Sequence, residues 1–293
     1  MNGATKTLSP EDRAIAFTLK RGSDSQFANS MFKLSSDRMP EAARLFRYLE
    51  KVEEARGTGH FFPLKYLLTL AIESNERSQR FCLIGGFAAF MYITAAEGEL
   101  KGPTEKWRGS HDLDIIAIDR GFPAMAAATF NTPLIKAPFP NKTAVNAYDE
   151  HAEFPCEMDI YHFEGGKLRI EEYVLKEKDL RAVTFERLGV KFNVISWDQL
   201  VSLKVYANRM RDKIDVVDLV CALAKAEERG ISGELGGSLE EQFGKLTEAE
   251  KEAVRKAFVE VIATRDVKEK FGGIVPYYGR QEIIRAYGQI ESL

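Results

Sequence analysis

Ser110-His111-Asp112-Leu113-Asp114-Ile115-Ile116 sets two carboxylates two residues apart at the mouth of an apolar run. A strand meant only for burial would not carry Asp at both positions, because each desolvated carboxylate costs several kcal/mol unless positive charge compensates it. In a strand, residues i and i+2 share a face, with alpha carbons roughly 6.5 to 7 Å apart, so Asp112 and Asp114 project side by side. Such a pair converges on hard cations. Mg2+ takes oxygen ligands, often one or two protein carboxylates, and leaves the rest of its shell to water and substrate phosphates.

A third carboxylate, Asp159, lies in Cys156-Glu157-Met158-Asp159-Ile160-Tyr161-His162-Phe163, a segment that alternates like a second strand. If the two strands pair, Asp159 completes a triad able to hold two metals about 3.5 to 4 Å apart, the arrangement that serves in-line phosphoryl or nucleotidyl transfer. Glu157, on the same face as Asp159, is a reserve candidate. Upstream, Gly85 and Gly86 stand between the short apolar run Phe81–Ile84 and a breaker-free segment. That pattern reads as strand, tight turn and helix, with backbone free to approach a phosphate at a helix N-terminus.

This motif-bearing region sits in a wider order. Residues 1–38 are polar and weakly periodic, and the segments starting at Pro40 and Pro63 have helical spacing, so residues 1–80 read as a helical N-terminal extension. Residues 81–196, with strands at "DLDIIAID", "EFPCEMDIYHF" and "GVKFNVIS" and a Pro- and Asn-rich loop at 132–149, read as an α/β (α+β) core. Residues 197–293 read as a helical C-terminal region. It opens with Ser196 as a cap, continues in a helix over 214–229, and includes "TEAEKEAVRKAFVEVIATR", where Thr247 and Glu250 have capping-box spacing.

The 293 residues are 45% hydrophobic and 29% charged, as in an ordinary globular protein. Net charge is -3 and pI is near 6.0, so nucleic-acid binding would rest on a local patch. The best candidate is Lys204, Arg209, Arg211 and Lys213. Cys82, Cys156 and Cys221 are far apart and read as buried free thiols of a reducing compartment. His111 would face away from Asp112 and Asp114, and His60, His151 and His162 show no ligand spacing. With no signal peptide and no apolar run of membrane length, the expected location is cytoplasmic, with no membrane partner.

The series Gly85-Gly86, Arg108-x-Ser110-x-Asp112-Leu113-Asp114 and Asp159 resembles the DNA polymerase β-like nucleotidyltransferase superfamily, and more narrowly its AbiEii-type toxin branch. The likeness extends over residues 80–225, through "VISWDQLVSLKVYANRMRDKIDVVDLVCAL", with its lysine-bearing helix and the acidic pair Asp215 and Asp218. It implies a polymerase-β-like core with a mixed sheet, Mg2+ (or Mn2+) at Asp112, Asp114 and Asp159, and a nucleoside triphosphate as substrate. Asp159 would take the proton of the acceptor hydroxyl, Lys204 would meet the phosphates, Asp215 would match the later acidic motif, and Arg108 and Ser110 would sit near the triphosphate. The implied acceptor is the 3′ end of tRNA or another RNA, and the implied partner an antitoxin protein. The loop "EGELKGPTEKW" and residues 1–80 have no counterpart in that pattern. The acidic pI leaves open a small-molecule nucleotidyltransferase of the antibiotic-modifying kind, and a degenerate, non-catalytic domain is a second alternative.

Overall fold

The structure is a computed structural model that describes residues 62–98, 109–110, 112–137, 141–147, 156–187, 190–264 and 274–293. The expected helix beginning at Pro40, the polar residues before it, Arg108 and His111 lie outside the described residues.

The described chain opens with α1 (Phe62–Arg77), then β1 (Phe81–Ile84) running straight into α2 (Gly85–Glu97). There follow β2 (Asp112–Ala117), α3 (Phe122–Thr129), β3 (Ile135–Lys136), β4 (Lys142–Ala147), β5 (Cys156–Tyr161), the hairpin β6 (Lys167–Ile170) and β7 (Tyr173–Lys176), β8 (Ala182–Arg187) and β9 (Val190–Ile195). The remainder is helical: α4 (Trp197–Ala207), α5 (Met210–Glu228), α6 (Leu239–Gly244), α7 (Glu248–Ala263) and α8 (Arg280–Glu291). Among the described residues no helix is long and apolar enough to cross a membrane.

Seven strands form one mixed sheet in the order β3-β4-β5-β2-β1-β9-β8, and β6 and β7 pair separately. β2 runs parallel to β5 and antiparallel to β1, and β1 runs parallel to β9. This is the α/β class with a mixed sheet and added helices that the order of apolar runs predicts. The four residues of β1, Phe-Cys-Leu-Ile, are all buried, the pattern of a strand covered on both faces of the sheet. β2 and β5 alternate instead, and their polar positions share one face.

The segment 132–149, expected as a loop, contains β3 and β4. Asn141, in a left-handed conformation (φ 68°), turns the chain into Lys-Thr-Ala-Val-Asn-Ala, which then pairs antiparallel with the whole of β5. Partnership with β5 outweighs the weak strand propensity of Lys, Ala and Asn. The Gly- and Ser-rich segment between α5 and α6 holds a short 3-10 turn at Ser232–Leu235.

α2 is apolar all round and eleven of its thirteen residues are buried, the pattern of a helix with core on every side. It packs against β1, β2 and β9 and against α4 and α5. Gly98 ends it in a left-handed conformation, its N–H donating to the carbonyls of Thr94 and Ala95. Trp197 in α4 is fully buried and its indole N–H donates to the Leu219 carbonyl in α5 at 2.9 Å, joining the two helices. Ser196 holds the position before α4, yet its hydroxyl makes no cap bond; the expected capping box at Thr247 and Glu250 is present. Cys82, Cys156 and Cys221 are buried free thiols.

Asp218 serves packing. Buried in α5, its carboxylate accepts the backbone N–H of Tyr277 at 2.9 and 3.0 Å and of Tyr278 at 3.4 Å, fastening the segment that leads into α8. Asp218→Ala leaves those donors without their acceptor, and a loss of about 2 kcal/mol is expected in urea unfolding. An unchanged midpoint would mean the segment is held by other contacts.

Candidate active site

The parallel register of β2 on β5 sets Asp114 directly opposite Asp159, and Asp112 opposite Glu157. Facing residues of neighbouring strands point to one side of the sheet, and alternate residues within a strand do the same. Asp112, Asp114 and Asp159 therefore come together on one face. They line an open cleft of about 510 Å³ whose other walls come from the hairpin β6–β7, the end of α4 and the start of α5. Glu157 is on that face but exposed at the strand's outer end, outside the cleft lining.

Each carboxylate is held differently. The Ser110 hydroxyl donates to Asp112 Oδ1 at 2.7 Å, fixing that side chain at the entrance to β2. Lys142, on the unforeseen strand β4, reaches diagonally across the sheet to Asp159 Oδ2 at 2.5 Å, and its ammonium lies 5.6 Å from the Tyr161 ring centre. Asp159 Oδ1 is buried and makes no hydrogen bond. Burial pushes the Asp114 carboxyl up to about 7, with the charges of Asp112 and Asp159 adding to the rise and Lys204 and Arg209 opposing it. Burial also raises Asp159, against the pull of Lys142.

Gly85 explains how backbone comes so near. Ile84 is the register partner of Asp114, and the next residue turns with φ +70° so that α2 starts at once beneath the carboxylate. A Cβ at Gly85 would stand 2.1 Å from Asp114 Oδ2, and L side chains rarely adopt that φ. The glycine pair thus marks a close approach of a helix N-terminus to the acidic cluster. Gly86 is buried in the first turn of α2.

Lys204 and Asp215 meet each other. Asn208, left-handed at φ 49°, and Arg209 form a tight turn between α4 and α5 that folds the start of α5 back onto Lys204. The buried ammonium lies 3.1 Å from Asp212 Oδ1 and 2.6 Å from Asp215 Oδ2, while Arg209 Nε donates to Asp212 Oδ2 at 2.6 Å. Lys204 borders the cleft, but its charge is already matched there by two carboxylates. Sequence reasoning did not single out Asp212. Of the basic run, Arg209 and Arg211 line the cleft, as does Arg169 from β6, whereas Lys213 is ion-paired with Glu260 at 2.9 Å.

Three carboxylates crowded on one face, one with an unsatisfied buried oxygen and one with a strongly raised pKa, make a donor set suited to a hard cation. Among the described residues no group of three or more His, Cys, Asp or Glu is arranged to hold a metal by side chains alone. The Lys142 ammonium engages one of the Asp159 oxygens that a three-carboxylate cage would use.

No protein-family model and no curated protein sequence matches this chain. Among solved structures, the chain is similar to the antibiotic-resistance factor ANT(2'')-Ia at 12% identity, covering 80% of this chain and 93% of that one, with a TM-score of 0.34. A protein from H. pylori provisionally classed as a nucleotidyltransferase has the same identity and coverages, with a TM-score of 0.39. Megavirus polyadenylate synthase aligns at 10% identity over 76% of this chain and 46% of its own, with a TM-score of 0.29. Likeness this distant assigns no residue a role.

The Asp114 carboxyl is expected to imprint the pH dependence of stability. Its folded pKa of about 7 exceeds the ordinary 3.8, so the folded chain holds a proton that the unfolded chain has released. The resulting stability is complete below about pH 4 and is lost as pH rises through about 7. In chelator-treated buffer, Asp114→Asn is therefore expected to be the more stable protein at about pH 8, by on the order of 2 kcal/mol, with the gap closing toward about pH 5. Thermal unfolding at the two pH values checks this, and a gap independent of pH contradicts it. Gly85→Ala is expected to lower the melting temperature by several degrees, since both its φ and Asp114 resist a methyl group.

Proposed function

We propose that the chain is a metal-dependent nucleotidyltransferase, transferring a nucleoside monophosphate from a nucleoside triphosphate to an acceptor hydroxyl with release of pyrophosphate. The observation that carries this reading is the register that puts Asp114 against Asp159, with Asp112 beside them, at the floor of an open cleft. Mg2+ (or Mn2+) bound at Asp112 and Asp114 would supply positive charge against the triphosphate and polarise the phosphorus under attack.

The chain's own groups do the rest. The α2 N-terminus at Gly85 and Gly86 offers backbone N–H groups and a favourable dipole to phosphate oxygens. Arg169 and Arg211 line the cleft walls and would meet the outer phosphates. Lys204, fixed by Asp212 and Asp215, keeps a positive centre near Asp114 without wandering. Asp159 Oδ1 receives the acceptor hydroxyl's proton, the new O–P bond forms at the α-phosphorus, and the bond to pyrophosphate breaks. Acceleration comes from positioning and charge neutralisation, without a covalent protein intermediate.

The acceptor we favour is the 3′ end of tRNA or another RNA. The Arg108-x-Ser110-x-Asp112-Leu113-Asp114 resemblance to AbiEii-type toxins supports it, as do the basic residues around the cleft, and it brings with it growth arrest restrained by an antitoxin. The net charge of -3 favours a second reading, a small-molecule acceptor of the aminoglycoside kind. Incubation with Mg2+, each labelled nucleoside triphosphate and total RNA is expected to label RNA, and transfer of label to an aminoglycoside panel instead would select the second reading. Asp112→Asn and Asp114→Asn are expected to reduce transfer by at least about a thousandfold while the fold is kept. Transfer that survives either substitution removes the metal assignment.

A further inference from the structure

Lys142 has no place in the motif series, yet it makes the shortest charged contact in the acidic cluster. Its strand, β4, exists to pair with β5: Ala144 faces Asp159 and Lys142 faces Tyr161, so the lysine starts one pleat beyond Asp159 on the same face. From there the ammonium reaches Asp159 Oδ2 at 2.5 Å and lies against the Tyr161 ring. Both partners are mostly shielded, with side-chain exposures of 17% for Lys142 and 14% for Asp159. A charge pair so shielded is strong only because its members compensate one another, and it does not separate at little cost.

The close ion pairs of the site then fall into two groups. Lys204 and Arg209 are matched by Asp212 and Asp215. Against Asp112, Asp114 and Asp159 the ion-paired cation is Lys142; setting apart Arg169 and Arg211, which line the cleft where the phosphates would lie, three carboxylates and one ammonium leave two negative charges, matching the charge of a single divalent cation. The oxygens divide the same way. Ser110 holds Asp112 Oδ1, Lys142 holds Asp159 Oδ2, and Asp159 Oδ1, buried without a hydrogen bond, is where the acceptor's proton would go.

We propose that the site takes one divalent cation, at Asp112 and Asp114, and that Lys142 is built in where a second metal would otherwise bridge to Asp159. This rests on the nucleotidyltransferase reading and narrows it: Lys142 is a positioning residue that turns Asp159 from a metal ligand into a dedicated proton acceptor. By holding Oδ2, the ammonium fixes the carboxylate and leaves Oδ1, which makes no hydrogen bond, as the oxygen of Asp159 open to the proton.

The test counts metal rather than turnover. The full chain is dialysed to equilibrium against Mn2+ and α,β-methylene analogues of the nucleoside triphosphates, and protein-bound manganese is measured by atomic absorption, with the nucleotide-only compartment subtracted. One ion per chain is expected for the unaltered protein and for Lys142→Arg, and two for Lys142→Met, which keeps the stem's packing and removes the charge. Two ions in the unaltered protein overturn the proposal while leaving the nucleotidyltransferase reading in place. A single ion in Lys142→Met overturns it as well. No bound manganese in any form overturns both this proposal and that reading.

Discussion

Everything at the candidate site depends on one strand pairing. β2 and β5 lie parallel in a register that stacks Asp114 on Asp159, and the opposite face of the same strands is fully apolar at Leu113, Ile115, Met158 and Ile160. A slip of one residue would bury the carboxylates in the core and expose that apolar set, so the hydrophobic pattern itself fixes where the negative charge collects. The fold thereby tolerates a concentration of like charge that would otherwise oppose it, and the raised Asp114 pKa is the sign of that opposition.

The surrounding elements answer this charge in layers. β4 delivers Lys142 from one side, and the start of α2 brings helix N–H groups from below, admitted only because Gly85 lacks a side chain. α4 and α5, bent sharply at Asn208 and Arg209, set Lys204 near the cluster with its charge already shared by Asp212 and Asp215. Such a lysine is held by the helices rather than by the ligand. Further down α5, Asp218 instead anchors Tyr277 and Tyr278, so the acidic positions of one helix divide between the site and packing.

Much of this was legible in the sequence because strand alternation and turn residues are local signals. The Asp112 and Asp114 pair, the alternating strand around Asp159, the glycine turn and the capped helix at Thr247 all stand where their periodicities put them. What was missed is non-local. Lys142 sits in Lys-Thr-Ala-Val-Asn-Ala, whose composition says loop and whose strand forms only through pairing with β5; its faint signal was the alternation after Asn141. Lys204 could be read as facing ligand, but not as tied to Asp212 and Asp215, since that contact arises from the turn between two helices. Ser196 shows the converse limit, a residue at the right cap position whose hydroxyl makes no cap bond.

The central claim is that the carboxylates of β2 bind a divalent cation jointly with a triphosphate. Calorimetric titration of the full chain with a non-hydrolysable triphosphate, with and without Mn2+, tests it most directly. Binding that strengthens at least about tenfold when Mn2+ is present, and loses that gain in Asp114→Asn, is the result the account requires. Equal affinity with and without the ion, or a metal effect that persists in Asp114→Asn, would contradict it.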